Sequence, residues 1–158
     1  MRYFHEEQRF GRWVWILIAV VAVPVFIGAL GAARSGVGSV VAILVGPATI
    51  VAVLVLLALA KLVTDIDERG IHISFHLLWP TRHIPLEDVQ RAHATKYRPL
   101  VDYGGWGVRL SWKGWAFNTG GAEGVLVETK SGKRIMIGSR HAKELEAAIA
   151  RGIAARSA

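Results

Sequence analysis

Apolar and polar positions divide the chain sharply. Trp13 to Ala33 is a run of 21 residues without a charge, and Ser35 to Ala60 is a second run of 26. Arg34 is the single charge between them. A bilayer core of about 30 Å takes about 20 helical residues, and in lipid the backbone must bond to itself. The pattern therefore predicts a membrane α-helical hairpin over residues 13–60. Its helices are expected at about 13–33 and 37–60, reversing at Arg34, Ser35, Gly36, Gly38 and Ser39. Pro24 and the Gly46-Pro47 pair predict local loosening. Gly28 with Ala32, and Ala29 with Ala33, have the small-residue spacing that lets helices approach. A basic start and small residues near Ala29–Ala33 also fit a secretory signal. The run is longer than the 7–15 residues of a signal core, however, and a second run follows closely.

From Lys61 the period changes to two. Leu62–Asp67 and Ile71–Phe75 alternate around Glu68-Arg69-Gly70, which predicts a hairpin. Further strands are predicted over 81–84 and 89–97, over 107–112 and 115–118 around Lys113-Gly114, and over 124–130 and 133–137 around Ser131-Gly132. Eight closely spaced strands predict a β-barrel or sandwich. After Ser139, a plausible N-cap, a helix is expected over about 140–153. Its Leu145, Ile149, Gly152 and Ile153 share a face suited to capping the barrel. The expected organisation is an N-terminal tail (1–12), the hairpin (13–60) and a mainly β, α+β domain (61–158).

Composition sharpens this division. The 53% hydrophobic content averages two populations, since 110 residues outside the hairpin hold 30 of the 31 charges. Such a chain is neither disordered nor collagen-like, and without cysteine it is no disulfide scaffold. Arg2, Arg9 and Arg12 precede the first run, and 15 Lys and Arg against 10 Asp and Glu follow the second. The positive-inside rule predicts both termini in the cytoplasm. Trp13, Trp15 and Lys61 suit the headgroup level.

The order of motifs resembles a family of bacterial membrane-anchored proteins with a PH-like domain. It rests on two apolar runs, Asp67-Glu68-Arg69-Gly70, Tyr97-Arg98-Pro99-Leu100, Tyr103-Gly104-Gly105-Trp106-Gly107-Val108-Arg109, and Gly132 to Gly138 before a helix. The resemblance implies a PH-like barrel capped by one C-terminal helix at the bacterial inner membrane, and no catalytic residues. The chain departs from the family pattern at Ala122-Glu123 and at Arg140-His141-Ala142.

Tyr97 to Arg109 is the strongest local feature. Glycines 104, 105 and 107 leave amides uncovered, while Arg98 and Arg109 offer guanidinium groups and Tyr97, Tyr103 and Trp106 aromatic faces. Such a set suits a phosphate, carboxylate or peptide. It equally suits a tight crossover, with Trp106 in the core and Arg109 solvated or paired with Asp102. Trp112-Lys113-Gly114-Trp115 reads as a hairpin tip for headgroups or as a cross-strand aromatic pair. Lys130, Lys133, Arg134 and Arg140 read as anionic-lipid contacts or as a solvated face. His72 and His76 are too far apart on a strand for one zinc ion, and no nucleophile stands beside a base. No enzyme activity, cofactor, metal, nucleic acid or small-molecule substrate is expected. The expected function is a membrane-anchored interaction or scaffold module. Its partners are membrane lipids and a protein partner or a second copy of itself. The alternative is anionic-lipid headgroup recognition by Arg98, Arg109, Lys130, Lys133 and Arg134.

Overall fold

The computed structural model describes residues 1–36 and 40–157, with all their side chains except those of Trp13, Leu17, Ala42 and Ser157. Gly38 and Ser39 of the expected reversal, and the side chain of Trp13, thus lie outside the described residues. The chain forms two compact units. One is Phe10–Leu59, and the other joins Met1–Arg9 to Ala60–Ala158.

The helical unit holds α1 (Arg12–Ser35) and α2 (Val40–Leu59), each running through its proline. Gly36, at φ +66°, ends α1 in the left-handed conformation that glycine adopts without strain. The helices meet closely at Gly46, where a Cβ would stand 3.2 Å from Val25, whereas nothing lies within 4 Å of one at Gly28 or Gly31. Gly28, of the first small-residue pair, is therefore not at such a contact. Ser35 and Thr49 donate to the carbonyls of Gly31 and Val45, so both hydroxyls are satisfied within their own helices. Among the described residues only Val14–Ser35 is long and apolar enough to cross a membrane. The second apolar stretch, Ile43–Leu59, is shorter. The expectation of two membrane-length helices thus holds for one.

The other unit is α+β, with two sheets and a C-terminal helix. Strands β1 (Arg2–Arg9), β2 (Lys61–Asp67), β3 (Gly70–His76) and β4 (Trp79–Pro85) form the first sheet in that order. A 3-10 turn, Leu86–Asp88, leads into β5 (Val89–Lys96). The five-stranded second sheet contains β5, β6 (Gly107–Ser111), β7 (Gly114–Asn118), β8 (Glu123–Thr129) and β9 (Arg134–Gly138). Its order is β5-β8-β9-β7-β6, with β7 and β9 parallel. A short helix, α3 (Pro99–Tyr103), joins β5 to β6, and α4 (Ala142–Ser157) ends the chain. The two sheets are separate ladders, so the barrel is not closed.

Alternation explains β2 and β3. Leu62, Thr64 and Ile66, then Ile71, Ile73 and Phe75, are fully buried, and the residues between them are not. Each large apolar side chain so buried contributes about 1.5–3 kcal/mol. On α4, Leu145 and Ile149 are buried as their spacing requires, and Gly152 lies against Leu86 and Tyr3. The second sheet runs across the first. The Trp115 ring of β7 lies 5.8 Å from that of Trp79 on β4, and Thr119, just past β7, donates to Gln8 of β1. Strand β7 thus crosses the ends of β1–β4 where Arg9, Lys61 and His76 stand in register. Edge strand β5 takes over at the opposite end of β4, after Pro85. Strand β6, beyond β7, is therefore the edge on the side from which the chain leaves for the helices.

Strand β1 is the main departure from expectation, which had a tail there. It pairs antiparallel with β2 from Arg2↔Asp67 to Arg9↔Lys61. Its inward positions carry polar groups, so no hydrophobic alternation announces it. The buried Glu6 carboxylate accepts from the Ser139 hydroxyl (2.6 Å) and the Arg140 N–H (3.0 Å). Ser139 in turn accepts from the His141 N–H (3.0 Å), next to the start of α4. The Glu6 charge thus sits at the positive end of that helix. Gln8 donates to the Gly138 carbonyl at 2.8 Å.

Replacing Glu6 with alanine orphans the Ser139 hydroxyl and the Arg140 amide. We expect a loss of about 3 kcal/mol or more, the scale of two hydrogen bonds to a charged group. Urea unfolding of the full chain in detergent, followed by tryptophan fluorescence, measures it. A loss within about 0.5 kcal/mol, typical of unpaired surface sites, would show that Glu6 does not hold β1.

Candidate functional site: the α3 crossover and the ends of β6 and β7

The glycine-rich segment builds a helix before it builds a loop. Pro99 presets the first helical position, and the Arg98 N–H donates to Asp102 Oδ2 at 2.7 Å, an interaction that caps α3. Gly104 at φ +72° and Gly105 at φ +136° end it with backbone that an L side chain adopts only under strain. Their N–H groups bond to the carbonyls of Leu100 and Pro99, so they are occupied rather than bare.

Helix α3 covers the outer face of the second sheet. Tyr97 and Tyr103 are buried there with Ala116, Met136 and Leu126, their rings edge to face at 5.9 Å. Burial raises the pKa of the Tyr97 hydroxyl strongly; Tyr103 adds to the rise, and the facing Asn118 amide opposes it. Neither the Tyr97 hydroxyl nor the Asn118 amide has a partner at ordinary hydrogen-bond length. Burial, aided by Asp102, also raises Tyr103. Trp106 is only half-buried, so the tyrosines fill the place expected of it.

The charges are largely matched locally. Lys113 Nζ donates to Asp102 Oδ1 at 2.6 Å. That bond and the Arg98 amide hold the Asp102 carboxyl below the ordinary carboxylate range. Arg109, a suggested partner for Asp102, instead donates Nε to the Trp106 carbonyl at 3.0 Å, with its guanidinium over Gly105. Gly107 opens β6 opposite Asn118. Arg98 is exposed at the start of α3.

Trp112 is 86% exposed at the β6–β7 turn, with Lys113 Nζ 5.0 Å from its ring centre. Trp115 packs between Trp79 and Phe117 with Arg82 over its ring, so the two indoles of the tip are not a cross-strand pair. Trp15 is partly exposed on α1, and Lys61 pairs with Glu7 at 2.9 Å.

The five basic residues expected to share a face do not form one cluster. Lys130 donates its N–H to Asp88 at the start of β5, whereas Arg98 follows the end of that strand. An eight-residue strand separates them, roughly 25 Å at about 3.3 Å per residue. Arg134 is paired with Glu128 at 3.1 Å, and Lys133 is exposed in the β8–β9 turn. His72 contacts Asp67 and His83. Among the described residues no group of three or more His, Cys, Asp or Glu is placed to hold a metal ion.

Two grooves flank α4. One is lined by Ala94, Thr95, Lys96, Glu123, Ala142 and Lys143. The other, of about 360 Å³, is lined by Leu86, Glu87, Val89, Lys130, Ile153 and Arg156. Sequence reasoning did not single out Glu6, Gln8, Leu77, Trp79 or Leu110. The first two lie on a strand without apolar alternation, and the others look like core until their exposure is known. No family model matches the chain, and a search of curated proteins finds no match.

Because the folded pKa of Asp102 is depressed, the stabilisation from its pairing is complete above the ordinary value of about 3.9. It is lost as pH falls through the folded value. A carboxyl carbon NMR titration should place the Asp102 midpoint below about 3.9, and Lys113→Ala should raise it. An ordinary midpoint that Lys113→Ala leaves in place would remove this pair from the site.

Proposed function

We propose that the chain is a membrane-anchored interaction module. In this reading the helical unit holds the α+β unit at the cytoplasmic face of a bacterial inner membrane, where it recruits a protein partner or a second copy of itself. The observation that carries the proposal is the insertion of apolar α1 and α2 between strands paired at Arg9 and Lys61. A chain that crosses with α1 must return with α2, because its two ends are neighbours in one sheet. Cleavage of α1 as a signal would remove β1 and with it Glu6 and Gln8.

The basic residues on both sides of the insertion support cytoplasmic termini. The family resemblance is supported by two sheets followed by a C-terminal helix, and it rests otherwise on the motifs alone. The grooves beside α4 are the preferred partner surface, since each combines apolar walls with charged side chains. Recognition of a lipid headgroup by one basic face is the weaker reading, because those residues are dispersed. The work of the module is placement, not catalysis.

The chain should remain in membranes after an alkaline carbonate wash, with tags at both termini protected from protease in spheroplasts. Cross-linking in those membranes should give a discrete adduct that Glu87→Lys, in the larger groove, reduces several-fold. Release by carbonate overturns the anchor. Recovery of monomer alone overturns recruitment and self-association.

A further inference from the structure

The exposed large hydrophobic residues of the α+β unit are not scattered. Apart from Met1, those among the described residues are Leu77, Trp79, Leu100, Val101, Leu110 and Trp112. Side-chain contacts and strand pairing join them into one rim. Trp79 touches Trp115, which is opposite Leu110 in the β6–β7 ladder. The turn between those strands carries Trp112 and Lys113, and Lys113 grips Asp102 of α3, the helix of Leu100 and Val101. Leu77 follows His76, which is paired with Lys61.

This rim lies at the end of the sheets from which the chain leaves for the helices. Only Ala60 separates α2 from Lys61. We propose that the rim is a second membrane contact. It seats the α+β unit in the headgroup layer of the bilayer that holds α1, through the side chains of Leu77, Trp79, Leu110 and Trp112. The inference rests on the membrane reading above.

Three features favour a lipid surface over another occupant. First, the side chains have the chemistry of an interface. Indoles with cations close by suit the boundary between acyl chains and headgroups. Lys113 lies over Trp112 and Arg82 over Trp115. Second, the charges at this end are predominantly basic. Arg9, Lys61, Arg82, Arg98, Arg109 and Lys113 surround the rim, while Glu7 and Asp102 there are bonded to Lys61 and Lys113. The far end is mixed in sign, with Asp67, Glu68, Glu87 and Asp88 standing beside Arg2, Arg69, Lys130 and Arg156. Basic side chains near an anionic leaflet add to attachment.

Third, Leu77 is kept where neither backbone nor burial favours it. At φ +66° it is the one described non-glycine residue with positive φ, and it is 57% exposed. Glycine or asparagine would suit that turn better. A leucine held there and aimed at water gains from an apolar phase outside the unit.

The absence of cysteine makes the test direct. Leu77→Cys, Leu110→Cys and Trp112→Cys each carry an environment-sensitive fluorophore in the full chain. Val21→Cys on α1 and Glu68→Cys at the far end serve as references. The proteins are reconstituted in vesicles of phosphatidylcholine with a minority of phosphatidylglycerol. We expect labels at 77, 110 and 112 to be quenched by nitroxide-bearing lipid. They should be shielded from aqueous iodide about fivefold or more relative to the Glu68 position, as for groups lying in the interface. Rim labels as open to iodide as the Glu68 label, with the Val21 label in lipid, overturn this proposal and leave the anchor standing. A Val21 label open to iodide overturns both.

Discussion

The pairing of β1 with β2 governs the rest of the structure. Two adjacent antiparallel strands, commonly joined by a turn of a few residues, are here joined by the 51 residues between Arg9 and Lys61. Closing a flexible loop of that length costs about 3.5 kcal/mol beyond a constant. Internal helices shorten the effective loop. Against that cost stand a ladder running the length of β2 and the two hydrogen bonds of the Glu6 carboxylate. Each bond to a charged group is worth about 1.5–3 kcal/mol, so the latch alone is comparable to the closure term. Glu6 also joins the first strand to the start of the last helix, which ties the two ends of the chain into one core.

That pairing sets where the chain leaves the sheet and returns to it. Arg9 and Lys61 leave the sheet side by side, whatever the helices do beyond them. An apolar excursion with adjacent ends is a way to attach a folded unit without a separate linker. The sheets' crossed arrangement then puts β6, the β6–β7 turn and the β3–β4 turn at the same end. The exposed hydrophobic side chains of the unit collect there, and the ends of β1–β3 open onto it.

The glycine-rich segment illustrates how one sequence signal supports two structures. Three glycines among aromatic and basic residues describe an anion cradle and a compact crossover equally well. Tertiary packing selects the crossover. Tyr97 and Tyr103 turn onto Ala116 and Met136, the amides of Gly104 and Gly105 close α3, and Asp102 takes Lys113 in place of Arg109. Those groups are thus occupied within the fold, while the Arg98 and Arg109 side chains stay exposed. Its surface contribution is the pair Leu100 and Val101. The capping roles of Pro99 and Asp102 were readable in principle. A five-residue helix has too few positions for periodicity to reveal it.

The sequence by itself determined what period and composition encode: the apolar insertion, the alternating β2 and β3, the turns at Gly70 and Gly132, and the helix after Ser139. In those elements each buried position is apolar or small, so local pattern and final environment agree. Tertiary structure alone decided the rest. Strand β1 is buried through Glu6 and Gln8, polar residues that become inward-facing only when Ser139, Arg140 and Gly138 meet them from more than a hundred residues away. Two open sheets, not a closed barrel, follow from which edges find partners. Leu77, Trp79, Leu110 and Trp112 are rim and not core because the strands that carry them end where no second layer of this unit covers them. A linear pattern records how apolar a residue is. It does not record whether another surface lies opposite.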